Sequence, residues 1–312
     1  MPSRPTLIAL TVGVLACGWA LATTTTRVDD EIDQAWLDSL YDEAVAALHR
    51  GAGITLKEPV PVLLLTAKAA KERRMAFSGE LEENAGVTAA MDVVADLVFS
   101  DNMLGRYLPD EKVIYVIEDV ARKYSYGDRD DVEDFLFGIL AHELVHAYDD
   151  QTYGVMPLPG DLMELAADPT QMGALQTRMS LLEGRAVYAA ELASAAAGRE
   201  PLPAPSMDDI KNSEVMQGDD AASSIAAGFV NAVARAKYVQ YVEGRAFSAD
   251  AYEFGGEKFF RQVFDGLPLS AKELSEFEVF RQRWAEDMLE RMEAEDEAEV
   301  DDAAEVAGSK AG

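Results

Sequence analysis

Within the segment AHELVHAYDDQ (141–151), two histidines stand four residues apart and a glutamate follows the first of them. On a helix, residues i and i+4 lie one turn apart on the same face. His142 and His146 can therefore offer imidazole nitrogens to one ion, at about 2.0–2.1 Å each. Glu143 points about 100° away by helical geometry. It is poorly placed to ligate, yet it can reach a water at the ion, take its proton and later pass it to a leaving group. A fold built around this pattern must seat one side of the helix on a core and leave the other facing a cleft. Ile139, Leu140, Leu144 and Ala147 supply the apolar side. The chain has three histidines in 312 residues, and chance alone would give H-E-x-x-H on the order of 0.003 times.

A zinc ion in a catalytic role keeps three protein ligands and one open position. His49 falls in a separate helical segment, on its solvent side, and the single cysteine, Cys17, lies in an N-terminal apolar run. A carboxylate must then complete the set. The tetrapeptide EGRA occurs twice, at Glu183–Ala186 and at Glu243–Ala246, on helical segments downstream of the histidines. Each glutamate is followed by a glycine that permits a close helix approach, so periodicity alone does not separate them. Glu183, between SLL and AVYAA, is harder to explain as a solvated residue than Glu243 beside Arg245, which favours Glu183.

The N-terminus reads as an export signal. A short basic region (Met1 to Arg4) precedes the apolar run LIALTVGVLACGWALA. That run is about 16 residues long, against the ~20 that span a bilayer. Ala20-Leu21-Ala22 fits the small-x-small cleavage rule, giving a signal over 1–22 and a mature start near Thr23. VLAC at 14–17 competes as a lipobox that would leave Cys17 lipidated, and an uncleaved anchor is a third outcome. The expectation is an exported protein, secreted or periplasmic, or else lipid-anchored at Cys17, with the membrane touched only through such an anchor. Either cleavage removes any free thiol from the mature fold, and with it a disulfide or a thiolate metal site. A net charge of −30 argues against nucleic acid or an anionic membrane surface as partner.

Periodicity organises the rest. EIDQAWLDSLYDEAVAALHRGAG reads as a helix ending at glycine, with Ile32, Trp36, Leu40, Val45 and Leu48 at helical spacing. EPVPVLLLTA and EKVIYVIEDV are the two clear strands, with helical spacing over roughly 67–104 between them. The segment GDRDDVEDFLFGILAHELVHAYDDQ is a helix whose acidic start suits the helix dipole. From Pro169 onward the pattern gives helices: one over 169–198, one from about Ser223 to Arg245, one from the glycine pair at 255–256, and one capped by Ser270 and Glu273. The expected class is α+β: a 23–158 α/β lobe with a small sheet and the H-E-x-x-H helix, then a helical 159–294 lobe carrying Glu183. An acidic, disordered tail is expected over 295–312.

These residues resemble the neutral zinc metallopeptidases of bacterial envelopes, within the broader gluzincin group. That family shows an H-E-L-T-H-A-L-Q-D-Q-like helix followed by E-G-D-A on a later helix. HELVHAYDDQ and the EGRA at Glu183 match, with Asp150 and Gln151 closing the first motif. GRYLPDEKVIYV (105–116) is similar to the family's G-x-Y-x-P turn and strand, and YVEGRAF (241–247) to its Y-x-x-G-x-x-F segment. The resemblance spans roughly 105–275 and assigns the second EGRA to that later segment, leaving Glu183 as the matching ligand. It implies a zincin-like fold, a Zn²⁺ cofactor on His142, His146 and Glu183, Glu143 as general base, and a peptide or protein substrate. It also implies Tyr241 as the group facing the oxyanion, and KVIYVIED as an edge strand that pairs with extended substrate. Arg185 departs from the family's acidic residue. It reads either as an ion pair with Asp149 or Asp150, or as a group binding a substrate carbonyl or carboxylate. Asp150, one turn after His146, is the local candidate to orient that ring. The competing class is a non-catalytic zincin-like envelope protein that binds or scaffolds.

Overall fold

The computed structural model describes residues 32–66, 68–69, 72, 105–118, 129–156, 172–202, 238–266 and 270–292. The expected signal at 1–22 with Cys17, most of the 67–104 helical segment, the start of the helix from Ser223 and the 295–312 tail lie outside these residues.

Helix α1 (Gln34–Ala52) starts where Asp33 accepts a hydrogen bond from the Trp36 N–H at 2.7 Å, and stops at Gly53, whose φ of 69° favours glycine. Leu37, Leu40, Ala44 and Leu48 form its buried face. Three strands follow: β1 (Val62–Leu65), β2 (Gly105–Leu108) and β3 (Val113–Ile117). Their order is β1-β3-β2, with β1 parallel and β2 antiparallel to β3.

This corrects the expected edge strand. β3, the core of KVIYVIED, pairs on both sides, so its backbone groups have no open edge to offer. Its composition carries the reason: all five residues of VIYVI are buried, the mark of a central strand rather than a half-exposed one. β2 was not anticipated as a strand. It is four residues long, begins with glycine and pairs through a tight turn in which Lys112 has φ 54° and donates its N–H to Leu108 O at 2.7 Å. The outer edge of β1 is covered by Gln34, whose side chain accepts from the Leu64 N–H and donates to Val62 O, both at 2.9 Å.

Helix α2 (Arg129–Tyr153) packs on α1 and β2, and α3 (Met172–Ala197) packs on both α1 and α2. A π-helical turn (Val239–Glu243) then leads into α4 (Gly244–Gly255), α5 (Glu257–Asp265), the capped turn α6 (Ala271–Ser275) and α7 (277–292). The helix expected to end at Arg245 instead runs on to Gly255. Gly244 is an ordinary helical residue with φ −61°, buried at a helix crossing and not a stop. The capping box expected at Ser270 and Glu273 is present.

Two apolar cores result. The first joins α1, the sheet, α2 and the second half of α3, from Ala186 to Ala193. The second joins Met179, Leu181 and Leu182 of α3 to Phe247, Phe259, Phe260, Phe264 and Phe280. Helix α3 thus belongs to both. The protein is α+β, and no helix among the described residues is long and apolar enough to cross a membrane.

Candidate metal centre

Helix α2 presents His142 and His146 one turn apart, and α3 crosses it so that Glu183 meets them. The Nε2 atoms of the two histidines are 3.1 Å apart. Glu183 Oε2 lies 3.3 Å from His142 Nε2 and 3.8 Å from His146 Nε2. An ion bound tetrahedrally at about 2.0–2.1 Å holds its donors roughly 3.3 Å apart. Two of the three separations are close to that spacing, and His142, His146 and Glu183 form a group that could hold a metal ion. His142 and Glu183 keep some exposure and His146 keeps less, so the group opens on the His142 side. Burial alone would push His146 down. Glu183 opposes this, with Glu143 and Asp149 beyond it, and the imidazole is held up to about 9. An incoming ion must displace that proton.

The place of Glu183 follows from a contact between the two EGRA segments. Built onto Gly184, a Cβ would lie 2.0 Å from the Gly244 carbonyl carbon, and on Gly244 it would lie 1.9 Å from Ser180 O. The two helices touch backbone to backbone at these glycines, each of which follows a glutamate. Glu183 goes to the histidines. Glu243 sits in the π-helical turn, outside the group. That turn also carries Tyr241, which is buried, with its ring near-parallel to His142 at 6.1 Å between centroids.

Glu143 is held from β2. Its Oε2 accepts the Tyr107 backbone N–H at 2.7 Å, and the Tyr107 hydroxyl donates to Asp150 Oδ2 at 2.7 Å. Gly105 makes the approach close enough, since a Cβ there would sit 2.6 Å from Ile139 Cγ2. Asp150 is thus engaged by Tyr107, and no bond from it to His146 is present. Arg106, between these residues, lies in the field of Glu143 and Glu183. Burial pushes its guanidinium down, and the two carboxylates oppose that.

Arg185 is fully buried, which removes the reading as a substrate-binding group. Its Nη1 donates to Asp149 Oδ1 at 2.7 Å and its Nη2 to Glu257 Oε1 at 2.6 Å. The hydroxyls of Tyr153 and Tyr252 also donate to Glu257. Burial works against this cation, but Asp149 and Glu257 hold its pKa above the usual guanidinium value. Gln151, the last residue of the first motif, accepts from the Lys57 and Glu58 N–H groups and donates to Glu58 O, fastening the end of α2 to the segment before β1. Sequence reasoning missed Tyr107, Arg106 and Glu257. The signal for the first two was the G-x-Y-x-P pattern in GRYLPDEKVIYV, which includes Tyr107 but says nothing of what its backbone N–H or hydroxyl meets.

No family model matches this chain, and neither does any curated protein. One solved structure shares the backbone arrangement: a protein from Chloroflexus aurantiacus described as a "putative hydrolase with a novel fold". The likeness has a TM-score of 0.51 at 18% identity, over 91% of this chain and 97% of that one. At this identity it speaks for the fold alone.

Proposed function

We propose that this chain is an exported, zinc-dependent metallopeptidase of zincin-like architecture, related to the neutral zinc metallopeptidases of bacterial envelopes. The observation that carries the reading is the convergence of His142, His146 and Glu183, with Glu143 fixed beside them by the Tyr107 N–H. The description of the Chloroflexus aurantiacus protein as a hydrolase agrees with this class of reaction.

Zinc on these three residues would supply Lewis acidity, lowering the pKa of water and polarising a peptide carbonyl. With Oε2 of Glu143 committed to Tyr107, Oε1 is the atom that takes the proton of the attacking water. The water oxygen bonds to the carbonyl carbon, the carbon–nitrogen bond breaks, and Glu143 delivers its proton to the departing amine. Tyr241, beside His142, is assigned to the oxyanion. Extended substrate would lie along the outer edge of β2, the strand whose Tyr107 N–H already turns toward the site.

On zinc-loaded full-length protein, Glu143→Gln should retain about one zinc per chain and lose cleavage of a peptide library by roughly 10²–10⁴-fold. Unchanged cleavage would remove Glu143 from the mechanism. Wild type that holds zinc and cleaves nothing would replace this reading with the non-catalytic binding protein. The mass of the mature N-terminus tests export and distinguishes a start at Thr23 from a lipidated Cys17.

A further inference from the structure

Behind the ligand face of α2, Nδ1 of His146 and Oδ2 of Asp149 are among the buried polar atoms that have no hydrogen-bond partner, as are Thr152 Oγ1 on the same helix and Arg185 Nε. His146 and Asp149 are three apart on one helix, which makes them neighbours on its surface. His146 is 5% exposed and Asp149 0%, so solvent offers neither atom a substitute. Asp149 is not free to turn elsewhere, because its Oδ1 accepts from Arg185 Nη1 at 2.7 Å. Arg185 is in turn fixed by Glu257, and Glu257 by Tyr153 and Tyr252. The Asp149 carboxylate is therefore clamped at one oxygen with the other left over.

A metal on Nε2 of a neutral imidazole requires the ring proton to sit on Nδ1, and an enclosed Nδ1–H needs an acceptor. Ligating histidines donate that second N–H to a carboxylate, carbonyl or water, which fixes the tautomer and raises the basicity of the ligating nitrogen. Asp150, the other acid at this helix end, is occupied by the Tyr107 hydroxyl. We propose that Asp149 is the positioning residue of this centre: its Oδ2 accepts the Nδ1 proton of His146 when Nε2 engages the ion, and the Arg185–Glu257 pair holds the carboxylate in place. This rests on the metal-site reading above.

Zinc affinity of the full chain, measured by chelator competition, tests it. Asp149→Asn should weaken zinc binding by about 10–100-fold. Glu43→Gln is the control, because it likewise removes one carboxylate from an arginine ion pair, that with Arg199, and touches no residue of the centre or its cluster; it should change affinity by less than about threefold. Equal losses in the two variants, or an unchanged Asp149→Asn, overturn the proposal. Should Asp149→Asn not fold, the zinc-loaded wild type decides. With its histidines nitrogen-labelled, it should show a downfield, exchange-protected Nδ1–H resonance from His146, and absence of that resonance overturns the proposal. Wild type that takes up no zinc defeats the metal-site reading and this one together. Wild type that binds zinc without cleaving peptides defeats only the peptidase reading.

Discussion

The donor separations of 3.1, 3.3 and 3.8 Å make Glu183 the third corner of a compact triangle and not an outlying acid. Replacing it leaves two imidazoles, which is short of a three-ligand centre. Glu183→Ala should lower zinc content well below one per chain, whereas Glu243→Ala, from the twin tetrapeptide, should leave it unchanged; metal analysis of both variants after dialysis checks this. The group that could hold an ion was legible because its signals are local. His142 and His146 share a helical face by spacing alone, whereas the apolar neighbours of Glu183 only favoured it and the family resemblance separated it from Glu243. The hold on Glu143 was not legible, because its partner is the backbone N–H of Tyr107, a group every residue but proline has. Arg185 was half legible. Both Asp149 and Asp150 were within its reach on paper; they point about 100° apart on the helix, and in the fold Asp149 is the one buried against Arg185 while Asp150 accepts from Tyr107.

At the scale of elements, the crossing of α3 and α4 is set by Gly184 and Gly244. Gly244→Ala would press a methyl into the Ser180 carbonyl and should destabilise by about 1–3 kcal/mol, as overpacked sites do. It should also carry Tyr241 away from His142. Gly173→Ala on the same helix α3 meets nothing within 4 Å and should instead stabilise by up to about 1 kcal/mol. Thermal melts of the two variants should shift in opposite directions. The α6 capping box gives a pH signature. Burial would raise the Glu273 carboxyl, but bonds from Ser270 and from Arg283 hold it below the usual value. A depressed carboxylate adds stability above its unfolded pKa and loses it as pH falls through the folded one. The melting gap between wild type and Glu273→Gln should therefore be full near pH 7 and close below about pH 4. Pattern reading found this cap because S-x-x-E is a contiguous signal. It missed β2 because GRYL lacks a β-branched run and becomes a strand only when β3 is beside it.

For the whole molecule, α3 is the shared member: its first half lies in the phenylalanine-rich core and its second half in the core with the sheet. Arg185 stands between them and joins α2, α3 and α5 through Asp149 and Glu257. Arg185→Met leaves the buried Asp149 and the half-buried Glu257 without their cation and should cost about 3–5 kcal/mol, seen as a lower denaturant midpoint. Apart from β2, the order of helices and strands among the described residues was legible from periodicity. The sharing of α3 was not, since a helix apolar on more than one side does not say which side meets which neighbour.

That arrangement also gives an ion at the site a topological consequence. Its ligands come from α2 and α3, so binding ties the stretch from His146 to Glu183 into a closed loop. The ion then acts on the unfolded chain as a cross-link does, shrinking the conformations open to that loop. Unlike a disulfide, this clip needs no thiol and no oxidant, and a chelator can undo it without breaking a covalent bond.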